Sequence, residues 1–334
     1  MDTQKGYVYY SFTTMLLKTD LDGVPLGSVT GLAGHLGCIT FNSDNGVLYG
    51  SLEQKHDAIG AGIIKRTGWD PSAEDAFYLV AFDVDKIDRM SMDAEGDGVM
   101  TAVYLADVVK DYKDTDEVSG KSHRYGCSGI DGLGFGPVFG AALDSEKKLM
   151  VCYGVYSDTE REDNDYQVIL QYDISAFDQY ALPLNQATPH HSGPQGFEKK
   201  YFLYTGNTVY GVQNLEYDAS TREWIVAVYR GKKQNFTPFP MFIIDGARSP
   251  ELQALKGRGT EMGEVLFHRD GGLGGIAEGV LGYTFPYGQT GIAAVGDGTV
   301  YFSHDLLNKQ ESTYSTIAIR YKRGNDAEHP FIPL

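Results

Sequence analysis

Four stretches of this chain read as the same hairpin, and no helix of crossover length separates them. They are HLGCITFNSDNGVLYGSLE, GPVFGAALDSEKKLMVCYGVY, GVQNLEYDASTREWIVAVYRG and QTGIAAVGDGTVYFSHD. Each sets a strand of small and apolar residues before a polar turn and an aromatic-rich strand after it. The turns NSDNG, DSEKK, DASTRE and GDG are made of residues that tolerate the backbone angles of tight hairpins. Period-two and short apolar runs dominate the rest of the chain. Helix is expected only as a turn or two at 71–76 and 250–255. A parallel α/β sheet needs a dozen or more residues, usually helical, in every connection. That class is excluded.

A third strand ending in an acidic residue follows three of the hairpins, at 81–83, 170–173 and 243–245, and MLLKTDLDG near the N-terminus is of the same kind. The first strand of each unit is rich in Gly, Ala and Cys, as strands crowded near a common axis require. The 41 glycines in 334 residues exceed the usual ~7% and fit many turns. This pattern resembles a β-propeller, without a WD or kelch signature. The resemblance implies an all-β fold: a single propeller over residues 1–334, five-bladed, with six blades as the alternative. The chain ends are expected to share one blade.

The formal charge is −17, from 45 acidic and 28 Lys and Arg residues. A field of that sign repels nucleic acid and anionic membrane, and neither is expected as a partner. Cys38, Cys127 and Cys152 are too few and too scattered for a disulfide framework or a zinc site. No apolar run reaches the ~18 residues of a membrane span. The opening MDTQKGYVYYS has no leader pattern. The expected compartment is the cytoplasm, or a secreted or periplasmic one if a leader has been removed, and the expected state is a monomer.

In a propeller, the loop after the second strand and the crossover into the next blade share one face. Here those connections are long (52–76, 106–134, 157–165, 183–199, 269–289), whereas the hairpin turns are short. Long loops on a rigid scaffold are where function concentrates. The elaborated face then gathers His35, His56, Asp131, Gln213, Asn214, Gln289 and His304, with Glu160 and Lys232 or Lys233 in the matching loops. Such a mouth suits a small polar, carbohydrate-like ligand.

Three uses of these residues follow. His35, His56 and His304 could hold one divalent metal ion that polarises a substrate oxygen. Asp131 with Glu53 or Glu160, and His56 beside them, could supply acid and base for a hydrolase or lyase. His35, Gln213, Asn214, Gln289 and Lys232 would bind the ligand. The third use is non-catalytic: a glycan- or protein-binding surface built on exposed tyrosines and Trp69. The glycine-rich CSGIDGLGFGP and GGLGGIAEG lead into no helix, so they are read as tight crossovers and not as phosphate loops.

Overall fold

The computed structural model describes all residues except 69–73, 126–128, 155–157, 309–312 and 325. Trp69 and Cys127 fall outside the described residues. The fold is all-β, and five successive sheets form the blades of a five-bladed β-propeller. The chain clusters into two compact units, Met1–Tyr112 with Asp173–Glu198, and Lys113–Tyr172 with Lys199–Leu334.

The first unit holds two blades. Blade one is Tyr7–Phe12, Met15–Asp20 and Pro25–Thr30, completed by Met92–Asp93 in parallel with Val29 and Thr30. Blade two is His35–Asn42, Val47–Gln54, Ala76–Phe82 and Met100–Tyr104, antiparallel throughout. Leu16 and Val29 of the first pack against Leu48, Tyr78, Val80 and Phe82 of the second in one apolar core. The connection 83–99 is zipped onto blade one: the buried Lys18 Nζ donates to the carbonyls of Val84 (2.8 Å) and Ile87 (3.0 Å). The segment Asp173–Glu198 covers blade two, where the amides of Ala102 and Tyr104 donate to the carbonyls of Leu182 and Ser192.

The second unit holds three blades. Blade three is Gly132–Pro137, Lys147–Gly154, Tyr166–Tyr172 and Lys199–Tyr204, extended by Met262–Val265 in parallel and Glu251–Ala254 outside it. Blade four is Val212–Asp218, Glu223–Val228 and Met241–Asp245. Blade five is Ile292–Ala294, Thr299–Asn308, Thr313–Arg323 and Phe331–Pro333. Trp224 and Val226 join Met150, Cys152 and Ile169 in one core, and Ile225 and Ile243 join Val300, Phe302 and Phe331 in another.

Several expectations are corrected. The first strand of blade three is Gly132–Pro137, not 138–143, so the glycine-rich run is a strand and not a crossover. Its glycines are there for close approach. A Cβ on Gly134 would lie 2.8 Å from the Leu215 carbonyl and from Trp224, and one on Gly136 2.5 Å from Trp224. The segment expected to be helical at 250–255 is the strand Glu251–Ala254, because it pairs with Met262–Val265. Two helices stand in connections read as loops, Ala58–Thr67 and Ala106–Lys113. The first is capped by Asp57, whose carboxylate accepts the amides of Ile59 and Gly60, and closed by left-handed Gly68. Among the described strands, those of blade five come from Ile292–Pro333 and those of blade one from Tyr7–Asp93.

Candidate functional site

Both units bury charge at loop ends. In the first, antiparallel pairing sets His35, at the start of blade two, opposite Glu53, near the end of the neighbouring strand. Gly34 makes this possible. Its φ is +111°, and a Cβ there would sit 2.2 Å from the Glu53 carbonyl oxygen. Along an extended chain, residues two apart share a side, so Glu53, Lys55 and Asp57 form one row. Lys55 Nζ lies 2.9 Å from Glu53 Oε2 and 3.9 Å from Asp57 Oδ2. Tyr112, from the second helix, donates its hydroxyl to Asp57 Oδ2 at 3.4 Å.

Exposure separates the members of this row. The Glu53 and Lys55 side chains are 0% and 1% exposed, while the His35 ring is 27% exposed, with Nδ1 3.9 Å from Glu53 Oε2. Burial alone would push the Glu53 carboxyl up. The Lys55 ammonium and then His35 override it and hold it below the usual carboxylate range. The imidazole is therefore the solvent-facing neighbour of a sealed ion pair, Glu53 with Lys55. His56, after the same strand, is anchored separately: its amide and its Nδ1 both contact Asp75 Oδ1, at 2.8 and 3.1 Å.

In the second unit, Lys233 and not Lys232 turns inward. Lys232 is exposed, whereas Lys233 is buried and donates to Asn164 Oδ1 (2.7 Å) and Asp165 Oδ1 (2.6 Å). Burial pushes the Asp165 carboxyl up, and Lys233 offsets only part of that. Beside the pair, a cavity of about 10 Å³ is lined by Thr205, Asn207, Thr208, Lys233 and Phe236. It has room for one water. Asn207 is buried, and neither end of its amide has a hydrogen-bond partner among the described residues. Gln167 reaches the same place, donating to Thr205 (2.9 Å) and Thr208 (3.2 Å).

The other expected site residues are placed as follows. Glu160 is exposed, and its own loop turns Arg161 and Asp163 inward instead, paired at 2.7 and 2.8 Å. Asp131 is buried just before the first strand of blade three. The amides of Asn214 and Gln289 bind backbone: Asn214 Nδ2 donates to the carbonyls of Gly288 and Gln289, and Gln289 Nε2 to that of Val228. Gln213 Nε2 reaches the carbonyls of Tyr210 and Val212 at 3.3 Å. These three side chains brace loops. His304 stacks on Tyr287 with ring centroids 3.5 Å apart, and its Nε2 lies 3.0 Å from the Tyr321 hydroxyl.

Glu216 escaped the sequence reading because it sits mid-strand with no charged neighbour in a motif. It accepts the Ala294 amide at 2.8 Å, and burial pushes its carboxyl up to about 7. Lys55 did have a signal, the alternation Glu53, Lys55, Asp57 at a strand end.

No helix among the described residues is long and apolar enough to cross a membrane. No family model and no curated protein matches the chain. Among solved structures, the Dos1 propeller is similar at 12% identity, with a TM-score of 0.35 over 90% of this chain and 74% of that one. Kluyvelomyces marxianus Hsv2 is similar at 8% identity, with a TM-score of 0.27 over 96% of this chain and 84% of that one.

Proposed function

We propose that this propeller binds a small polar, carbohydrate-like ligand at the loop end of blade two, with His35 as the contacting group. The sealed Glu53–Lys55 ion pair behind a partly exposed imidazole supports this reading. Desolvating two charges costs several kcal/mol per ion, and a well-packed apolar pair would hold the strands together at least as well. Perturbed titratable groups of this kind cluster at functional sites. An imidazole oriented by an ionised carboxylate both donates to and accepts from hydroxyl groups. In a hydrolase or lyase reaction the same geometry gives His35 the proton to move. Glu53 would fix the ring, and Lys55 would keep Glu53 ionised.

The test is a saccharide panel, uronic acids included, read by calorimetry on the wild-type chain and on His35→Ala. The expected outcome is one or more ligands whose affinity falls at least about tenfold in the variant, a loss of ~1.4 kcal/mol. The variant should still fold, losing at pH 7 only the share of Glu53 stabilisation that His35 supplies beside Lys55. Absence of saccharide binding, or equal binding by His35→Ala, would overturn the reading.

A further inference from the structure

Beyond that reading, blade two has a second feature at its other end. There, below the Asn42–Val47 turn, the first unit encloses an open cavity of about 420 Å³ lined wholly by its own residues. Ligand sites span roughly 300–1,000 Å³. The cavity arises from a step in side-chain size. Tyr49, Ala81 and Thr101 lie abreast on three adjoining strands, and the small Ala81 sits between two larger neighbours. Leu79 and Val103 form the next row of the floor, and Phe177, from the segment that covers blade two, walls one side. Leu79, Val103 and Phe177 are buried apolar groups, so the floor offers little to a sugar.

The rim has the opposite character. It carries Asp83, Asp85 and Asp178 against Lys86 and, paired with Asp85 from outside the lining, Lys5, a net charge of −1. Lys86 is taken by Asp83 at 2.9 Å, and Asp85 pairs with Lys5. Asp178 has no ion-pair partner among the described residues. An anion entering here would meet uncompensated like charge, and a neutral polyol would desolvate its hydroxyls against Leu79 and Val103. A positive head on an apolar body satisfies both parts.

We infer that this cavity is a binding site for a small organic cation, an ammonium group carried on an apolar body. The body lies over Ala81 and the ammonium faces Asp178. The connection 83–99 thus serves twice, zipping onto blade one and lending Asp83 and Asp85 to the rim. The site is independent of His35, which stands at the opposite end of the same strands.

Three probes of one shape decide the matter: benzylammonium, benzyl alcohol and benzoate, titrated into the full chain by calorimetry and by ligand-observed NMR. Benzylammonium should bind, and the alcohol and the carboxylate should bind at least about tenfold more weakly. Asp178→Asn, an exposed change that leaves the fold intact, should weaken benzylammonium about two- to fivefold, the range of an exposed ion pair. Ala81→Leu, which fills the hollow, should abolish binding, while His35→Ala should leave it unchanged. Equal binding of the three probes, no binding of benzylammonium, or unaltered binding by Ala81→Leu would each overturn the inference.

Discussion

Each unit buries a carboxylate–ammonium pair at a loop end, Glu53 with Lys55 and Asp165 with Lys233, yet these two pairs titrate in opposite directions. Glu53, in blade two, is held below the usual range, whereas Asp165, in blade three, is pushed above it. Both are desolvated, and each has one lysine within 3 Å. The difference lies in the second neighbour. Glu53 has His35 across the strand pair, a further donor to its ionised form. Asp165 has Asp163, a further anion that raises its pKa, and it shares its lysine with the neutral Asn164. One buried pair is thereby locked ionised next to solvent. The other keeps a carboxyl whose burial outweighs its lysine, beside an amide-lined cavity.

The signs of the two pH dependences follow. Glu53, with its folded pKa lowered, contributes stability that is present above about 4.5 and lost as the pH falls through its folded value. Asp165, with its folded pKa raised above 3.8, favours the fold while protonated, and that contribution is lost as the pH rises through its folded value.

The contrast can be broken most forcefully at Lys55. Lys55→Met leaves Glu53 sealed and uncompensated, which should cost about 3–5 kcal/mol in urea denaturation at pH 7. A loss below about 1 kcal/mol would mean that Glu53 is not ionised in the fold. Glu216 sharpens the comparison from the other side, since among the described residues no lysine pairs with it. Its carboxyl rises from 4.5 to about 7, so ionisation penalises the fold increasingly between those values. Glu216→Gln keeps the acceptor for Ala294. It should raise stability by roughly 3 kcal/mol at pH 8, at ~1.36 kcal/mol per pKa unit, and by much less at pH 5. Thermal unfolding at the two pH values measures this, and a gain equal at both would refute it. The smallest effect is expected at Lys233. Lys233→Met should cost about 1–3 kcal/mol at pH 7, less than Lys55→Met, because Asp165 can take up a proton in its place. The deficit should shrink toward pH 4, and a deficit that grows there would erase the distinction between the pairs.

How far this was legible in the sequence depended on how local each feature is. Hairpin turns and period-two strands are local, and five blades could be counted from them. His35 opposite Glu53 was not within reach, because the register set by the turn would place His35 opposite Gln54, and an irregularity between Leu36 and Ile39 shifts it to Glu53. Gly132–Pro137 was misplaced because a strand of alternating glycines shows no apolar period, and its composition is set by Trp224 two strands away. The helix at Ala58–Thr67 has a clear cap and stop in Asp57 and Gly68, but its apolar face is weak. The choice between Lys232 and Lys233 depended on a loop conformation that no periodicity encodes. The common metal site of His35, His56 and His304 remains a proposal. Of these rings, His304 has its Nε2 engaged by Tyr321.

The connections that reach backward bear on how the chain emerges from a ribosome. The outer strand of blade one is covered by residues 92–93, which follow the third strand of blade two, and blade two is covered by 173–198, which follow the third strand of blade three. Blade three waits in the same way for 262–265. An uncovered outer strand is a template for pairing with another chain, and domains are made N-terminal first. Each of these blades therefore leaves the ribosome with an open edge and is sealed only when most of the next has been synthesised. A chain stopped after residue 112 would keep two blades and expose the strand Met100–Tyr104, so shortened forms of this protein should aggregate where the full chain does not.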